Sequence, residues 1–184
     1  MKVVMGQLNT FVGDIRGNTE KVIQVSRDAD TAGQDTLVVF PELTLTGYPP
    51  EDLLMRDSLQ AQIEDALTQL ASELPAHLFV VVGYPRRCDG RLYNAAGVLH
   101  GGQMVGEYFK QRLPNYQVFD EKRYFSEGDT PCVVDVAGIK VGITICEDIW
   151  HKEPADAARR VGACLLYTSP SPRDVEESRM PSSA

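Results

Sequence analysis

Three residues stand where local pattern alone would not put them. Glu42 follows the apolar run Leu37-Val38-Val39-Phe40 and Pro41, Lys110 follows Tyr108-Phe109, and Cys146 follows Val141-Gly142-Ile143-Thr144-Ile145. Each closes a predicted strand, and strand carboxyl ends are where α/β sheets bind ligands. A carboxylate, an ammonium and a thiol delivered in this way suit acyl transfer, as base, oxyanion partner and nucleophile. A thiol with a pKa of about 8.5 is scarcely ionised at neutral pH. A nearby lysine lowers that value, and a partly buried glutamate can accept the proton. Attack on an amide carbon creates an oxyanion, for which one fixed donor is worth on the order of 3 kcal/mol. Lys110 would supply one donor and the backbone N–H after Cys146 another. The acid form of Glu42 would then protonate departing ammonia, leaving a thioester for water to hydrolyse. Taken singly, each residue has a plainer reading. A lone cysteine after an apolar run is more often a small buried hydrophobe, and a strand-end glutamate is usually solvated or paired, here with Lys110.

The elements that must position these residues alternate in type. Strands are expected at 3–8, 37–40 and 78–83, with helices between them from about 18 to 32 and from 58 to 74, the second closed by Pro75. Residues 92–99 and 104–109 read as a hairpin around His100-Gly101-Gly102-Gln103, and 132–136 and 139–145 as another around Ala137-Gly138. A helix is expected at 153–161, and Ala163-Cys164-Leu165-Leu166 begins a strand. This order indicates an α/β layer protein with mixed sheets.

Composition narrows the function classes. The chain has 184 residues, 43% of them hydrophobic and 24% charged, enough for one domain with a core. Its net charge of −8, from 18 basic and 26 acidic residues, disfavours a phosphate-tracking surface, so no nucleic-acid partner is expected. No apolar run approaches the roughly 20 residues that span a bilayer, and the opening Met1-Lys2-Val3-Val4-Met5-Gly6-Gln7 turns polar too soon for a signal peptide. A cytoplasmic protein without a membrane partner is the expectation. The cysteines, Cys88, Cys132, Cys146 and Cys164, form no C-x-x-C pair, and His77, His100 and His151 lie at no zinc-ligand spacing. No metal is therefore expected.

Phe40-Pro41-Glu42-Leu43, Tyr108-Phe109-Lys110 and Ile145-Cys146-Glu147-Asp148 resemble the three signature blocks of the nitrilase, or carbon–nitrogen hydrolase, superfamily, in its order Glu, Lys, Cys. Two longer blocks, Glu42 to Leu54 and Lys110 to Phe125, resemble the glutaminase domain of the bacterial glutamine-dependent NAD synthetase family. The resemblance runs from Met1 to about Leu166. It implies the αββα sandwich of that superfamily with its C-terminal part missing. It also implies Glu42 as general base, Lys110 as oxyanion stabiliser, Cys146 as nucleophile, Glu121 as a second glutamate orienting Lys110, and Tyr116 and Trp150 as walls of a glutamine pocket. Core or loop packing explains Tyr116 and Trp150 equally well. Glu121 could instead be a solvated member of the Asp120-Glu121-Lys122-Arg123 cluster.

By the same resemblance the substrate is L-glutamine. The ammonia serves ATP-dependent amidation of nicotinic acid adenine dinucleotide by a C-terminal synthetase domain, and the intact protein is a homo-oligomer. No Ser-Gly-Gly phosphate loop occurs here, so ATP and Mg²⁺ belong to that absent domain and this part needs no cofactor. Residues 1–166 are expected to be an incomplete amidase domain. Residues 167–184, where Tyr-Thr-Ser-Pro-Ser-Pro-Arg-Asp breaks the apolar pattern, are expected to be a non-native or disordered tail. A polypeptide so truncated is expected to show little glutaminase turnover. The alternatives are a free-standing hydrolase acting on another amide, nitrile or carbamoyl group, and a non-catalytic nitrilase-like binding module.

Overall fold

A computed structural model describes residues 1–116 and 119–169. A five-stranded sheet runs in the order β1 (Lys2–Met5), β2 (Thr36–Val39), β3 (Phe79–Cys88), β4 (Arg91–His100), β5 (Gln103–Phe109). Its first three strands are parallel, and β3-β4-β5 are antiparallel. A second sheet holds β6 (Cys132–Val136), β7 (Ile139–Ile145) and β8 (Leu165–Ser169), with β6 antiparallel and β8 parallel to β7.

The two-residue period of strands decides the layering. On the first sheet, Val38, Phe40, Val80, Val82 and Ala95 point to one side, into a core with Ile15, Val22 and Ile23 of α1 (Ile15–Ala29) and Leu59, Ile63 and Leu70 of α2 (Asp57–Glu73). Leu37, Val39, Val81, Ala96, Val98 and Tyr108 point to the other side, where they meet Val134, Val136, Val141, Ile143 and Ile145 of the second sheet. β2 is buried on both faces, which accounts for its unbroken apolar run. The last helix, α3 (Lys152–Arg160), lies against β7, where Gly142 leaves room for Ala158. The result is helix, sheet, sheet, helix: the αββα sandwich.

The differences from expectation have local causes. The first helix begins three residues early because the Asp14 side chain accepts the Gly17 N–H at 3.0 Å and Ile15 is buried as its first core contact; such a cap is worth about 1 kcal/mol. β3 runs five residues past Gly83 and returns as β4 through Asp89-Gly90. Both turn residues have positive φ, 49° and 73°, as a tight two-residue hairpin requires. β8 continues to Ser169, pairing Tyr167, Thr168 and Ser169 with Ile143, Thr144 and Ile145. The remainder of the segment expected as a tail, 170–184, lies outside the described residues. Among the described residues no helix is long and apolar enough to cross a membrane.

Candidate active site

Glu42, Lys110 and Cys146 leave the carboxyl ends of β2, β5 and β7, so both sheets contribute. The Glu42 loop is pressed onto β3: a Cβ on Gly83 would lie 2.5 Å from Leu43 N and 2.8 Å from the Pro41 carbonyl oxygen. Only glycine permits that approach. Lys110 is fully buried, Glu42 is 1% exposed and Glu121, on the short helix Glu121–Arg123, is 6% exposed. Lys110 Nζ donates to Glu42 Oε1 at 2.6 Å and to both Glu121 oxygens at 2.8 and 2.9 Å. Asn94 of β4 adds a second donor to Glu42, Nδ2 to Oε1 at 2.6 Å.

This cluster sets its own electrostatics. Burial opposes the charge on Lys110, but Glu42 and Glu121 more than offset it and hold the ammonium above the ordinary lysine range. One cation cannot neutralise two buried carboxylates. Desolvation first, and the Glu42 charge second, push Glu121 up to about 8, against the pull of Lys110 and Asn94. The cluster therefore holds a proton to higher pH than an ordinary carboxyl group would.

A carboxyl group raised in this way supports folding fully below its unfolded value near 4.5, and that support is lost as pH rises through about 8. Glu121→Gln, which cannot titrate, is expected to flatten the fall in stability between these limits. Urea midpoints at pH 5, 6.5 and 8 measure it, and a variant with the wild-type slope would place the retained proton elsewhere.

Cys146 begins the short helix Cys146–Trp150 with φ at 41°, a left-handed conformation that costs a non-glycine residue on the order of 1–2 kcal/mol. Asp148 holds this elbow. Fully buried, its carboxylate accepts the Ile145 N–H at 3.0 Å and the Tyr108 hydroxyl at 2.9 Å on Oδ2, and the Gln111 and Arg112 N–H groups at 3.1 and 2.8 Å on Oδ1. Burial raises the Asp148 pKa, while these donors and Lys110 pull it down. Asp148 thus ties the residue before Cys146 to the two residues after Lys110, across the interface between the sheets.

Tyr116, 51% exposed, donates to Glu147 Oε2 at 2.9 Å, and Glu147 Oε1 lies 3.4 Å from His151 Nε2. The Glu147 hydrogen bond raises the Tyr116 pKa, and Cys146 and Lys110 both act on its hydroxyl. Tyr116 therefore stands at the open side of the cluster. Trp150 is 82% exposed. A cleft beside Glu121 is lined by Leu43, Tyr48, Pro49, Pro50, Leu54, Tyr124 and Phe125, which gives the Tyr48-Pro49-Pro50 loop a place in the wall.

Asn94, Glu147 and Asp148 were not picked out as site residues in the sequence. Glu147 and Asp148 adjoin Cys146 and could have been; Asn94, in mid-strand, carries no local signal. Among the described residues no three His, Cys, Asp or Glu side chains are grouped to hold a metal ion.

A four-layer α/β sandwich holds a buried lysine enclosed by two carboxylates, linked through Asp148 to the strand end that carries Cys146. A family model described as carbon-nitrogen hydrolase matches residues 2–183. The chain belongs to that family. A glutamine-dependent NAD(+) synthetase of Thermotoga maritima is 44% identical over 163 residues, 88% of this chain and 28% of that protein. One from Xanthomonas campestris is 41% identical over 169 residues, 90% of this chain and 30% of that protein. Among solved structures, the glutamine-dependent NAD+ synthetase of Acinetobacter baumannii superposes with a TM-score of 0.86 at 36% identity, over 92% of this chain and 32% of that one. An amidase from Nesterenkonia sp., at 22% identity and a TM-score of 0.81, shares the fold. The chain spans about 30% of the length of the NAD synthetases it matches.

Proposed function

We propose that this chain is the glutamine-hydrolysing part of a glutamine-dependent NAD synthetase, with Cys146 as nucleophile, Glu42 as general base and Lys110 as oxyanion donor. The observation that carries the reading is the fully buried Lys110, held by Glu42 and Glu121 and tied through Asp148 to the Cys146 elbow. A lysine so enclosed keeps its charge and has a fixed place, as an oxyanion donor must. Glu42 takes the thiol proton, and sulfur attacks the γ-carboxamide carbon of glutamine. The tetrahedral oxyanion collapses as Glu42 returns the proton to the departing ammonia. Water then cleaves the thioester, activated by the same carboxylate, and releases glutamate. Glu121 orients Lys110, and Tyr116 with Glu147 forms the polar rim that receives the amino-acid end of glutamine. Trp150 would border that rim from the solvent side. The ammonia passes to a synthetase domain that consumes ATP with Mg²⁺, in an oligomeric cytoplasmic enzyme. The support is the identity of 41–44% to NAD synthetases.

Alkylation tests the reading. Iodoacetamide at neutral pH should modify Cys146 faster than Cys132, whose thiol burial pushes up to about 11, and faster than the exposed Cys164. Millimolar glutamine should protect Cys146. Equal rates at all cysteines would favour a non-catalytic module. A fast Cys146 that glutamine leaves unprotected would favour a hydrolase of another amide, nitrile or carbamoyl group.

A further inference from the structure

Asn94 is a buried polar side chain that does not satisfy itself. Its Nδ2 donates to Glu42 Oε1 at 2.6 Å, yet its buried Oδ1 has no hydrogen-bond partner among the described residues. Exchanging the two amide atoms would set a carbonyl oxygen against a carboxylate oxygen at that distance. Glu42 therefore dictates the orientation, even though it strands an acceptor. The main chain of Asn94 serves the same site, its carbonyl accepting the Lys110 N–H at 2.9 Å. Asn94 and Lys110 both donate to Glu42 Oε1. Two donors use the lone pairs of that oxygen, which leaves Oε2 as the atom able to take a proton.

We propose that Asn94 is a positioning residue that, together with Lys110, commits one oxygen of Glu42 and presents the other to the Cys146 thiol. The inference rests on the proposed role of Glu42 as base. An amide suits the task because it donates without adding charge. An aspartate would place a third carboxylate in the cluster, and an alanine would supply no donor.

The test follows Cys146 alkylation by iodoacetamide, read by peptide mass spectrometry from pH 5 to 9, in the wild type, Asn94→Ala, Glu42→Gln and the double variant. Loss of a hydrogen bond to a charged group predicts a rate at pH 7 about tenfold lower for Asn94→Ala. The acid limb of the profile should move to higher pH, because an amide donor favours the ionised form of the carboxylate it holds. In the Glu42→Gln background the same change should alter the rate by no more than about twofold, because only the pull of Asn94 on Glu121 remains. A further tenfold loss in that background would mark a general structural role and overturn the proposal. So would an unshifted Asn94→Ala profile where Glu42→Gln still slows Cys146, a result that leaves the catalytic reading standing. A wild-type Cys146 no faster than Cys164 would remove both. If Asn94→Ala does not fold by circular dichroism, Asn94→Leu, close to asparagine in size and without a donor or a charge, carries the same comparison.

Discussion

Lys110→Met is expected to destabilise the protein by about 3–5 kcal/mol at pH 8, the usual result of removing one partner from a buried ion pair. The methionine fills nearly the same space, so the loss is electrostatic. Glu42 and Glu121 would be left in a site 1% and 6% exposed with no cation between them. Acidification should reverse much of it, because without the lysine the two carboxyl groups can share the site only by taking up protons. The deficit against wild type should therefore shrink as the pH falls from 8 to 5. Urea denaturation at the two values measures this. A deficit independent of pH would mean that packing, rather than charge, is what Lys110 supplies. On the proposed roles, Cys146 alkylation should slow in the same variant, because an ammonium near a thiol favours the thiolate.

Asp148→Asn should be nearly as costly for a different reason. The aspartate accepts four hydrogen bonds, two on each oxygen. An amide keeps the shape but has only one acceptor atom. Its NH₂ group would face either the Ile145 N–H and Tyr108 hydroxyl or the Gln111 and Arg112 N–H groups, donor against donor. Two buried donors left unmet at about 1–3 kcal/mol each predict a loss of roughly 3 kcal/mol. The elbow at Cys146, with φ at 41°, would also lose its restraint, so alkylation of Cys146 should fall at least about tenfold while that of Cys164 is unchanged. Denaturation and alkylation measured together separate the two effects. A variant that is destabilised yet keeps wild-type Cys146 reactivity would show that Asp148 supports the fold without positioning the thiol.

Much of the architecture was legible because periodicity reports burial. The unbroken run of β2 announced a strand covered on both faces, and Ile63, Ala66 and Leu70 announced the buried stripe of α2. The β3–β4 hairpin was not among the expected turns: the apolar run ends at Gly83, while the strand continues through Pro85, Arg86 and Arg87 to Asp89-Gly90 by pairing with β4. Backbone ladders are indifferent to side-chain polarity, so such extensions leave a weak trace. The burial of Glu121 had no trace in local pattern: amid Asp120, Lys122 and Arg123 it reads as surface, and only the family resemblance pointed it toward Lys110.

The sequence by itself determined the strand and helix order, the three strand-end residues and the family, since each is a matter of local pattern or of motif. Only the tertiary structure decided which charges meet. It enclosed Lys110 between Glu42 and Glu121, turned the Asn94 amide toward Glu42, and joined the sheets through Asp148. The partners of Glu42 stand 52 and 68 residues away along the chain, so no local pattern encodes them. They meet because burial removes the water that would otherwise solvate each charge, and every buried charge then requires a partner of fixed geometry.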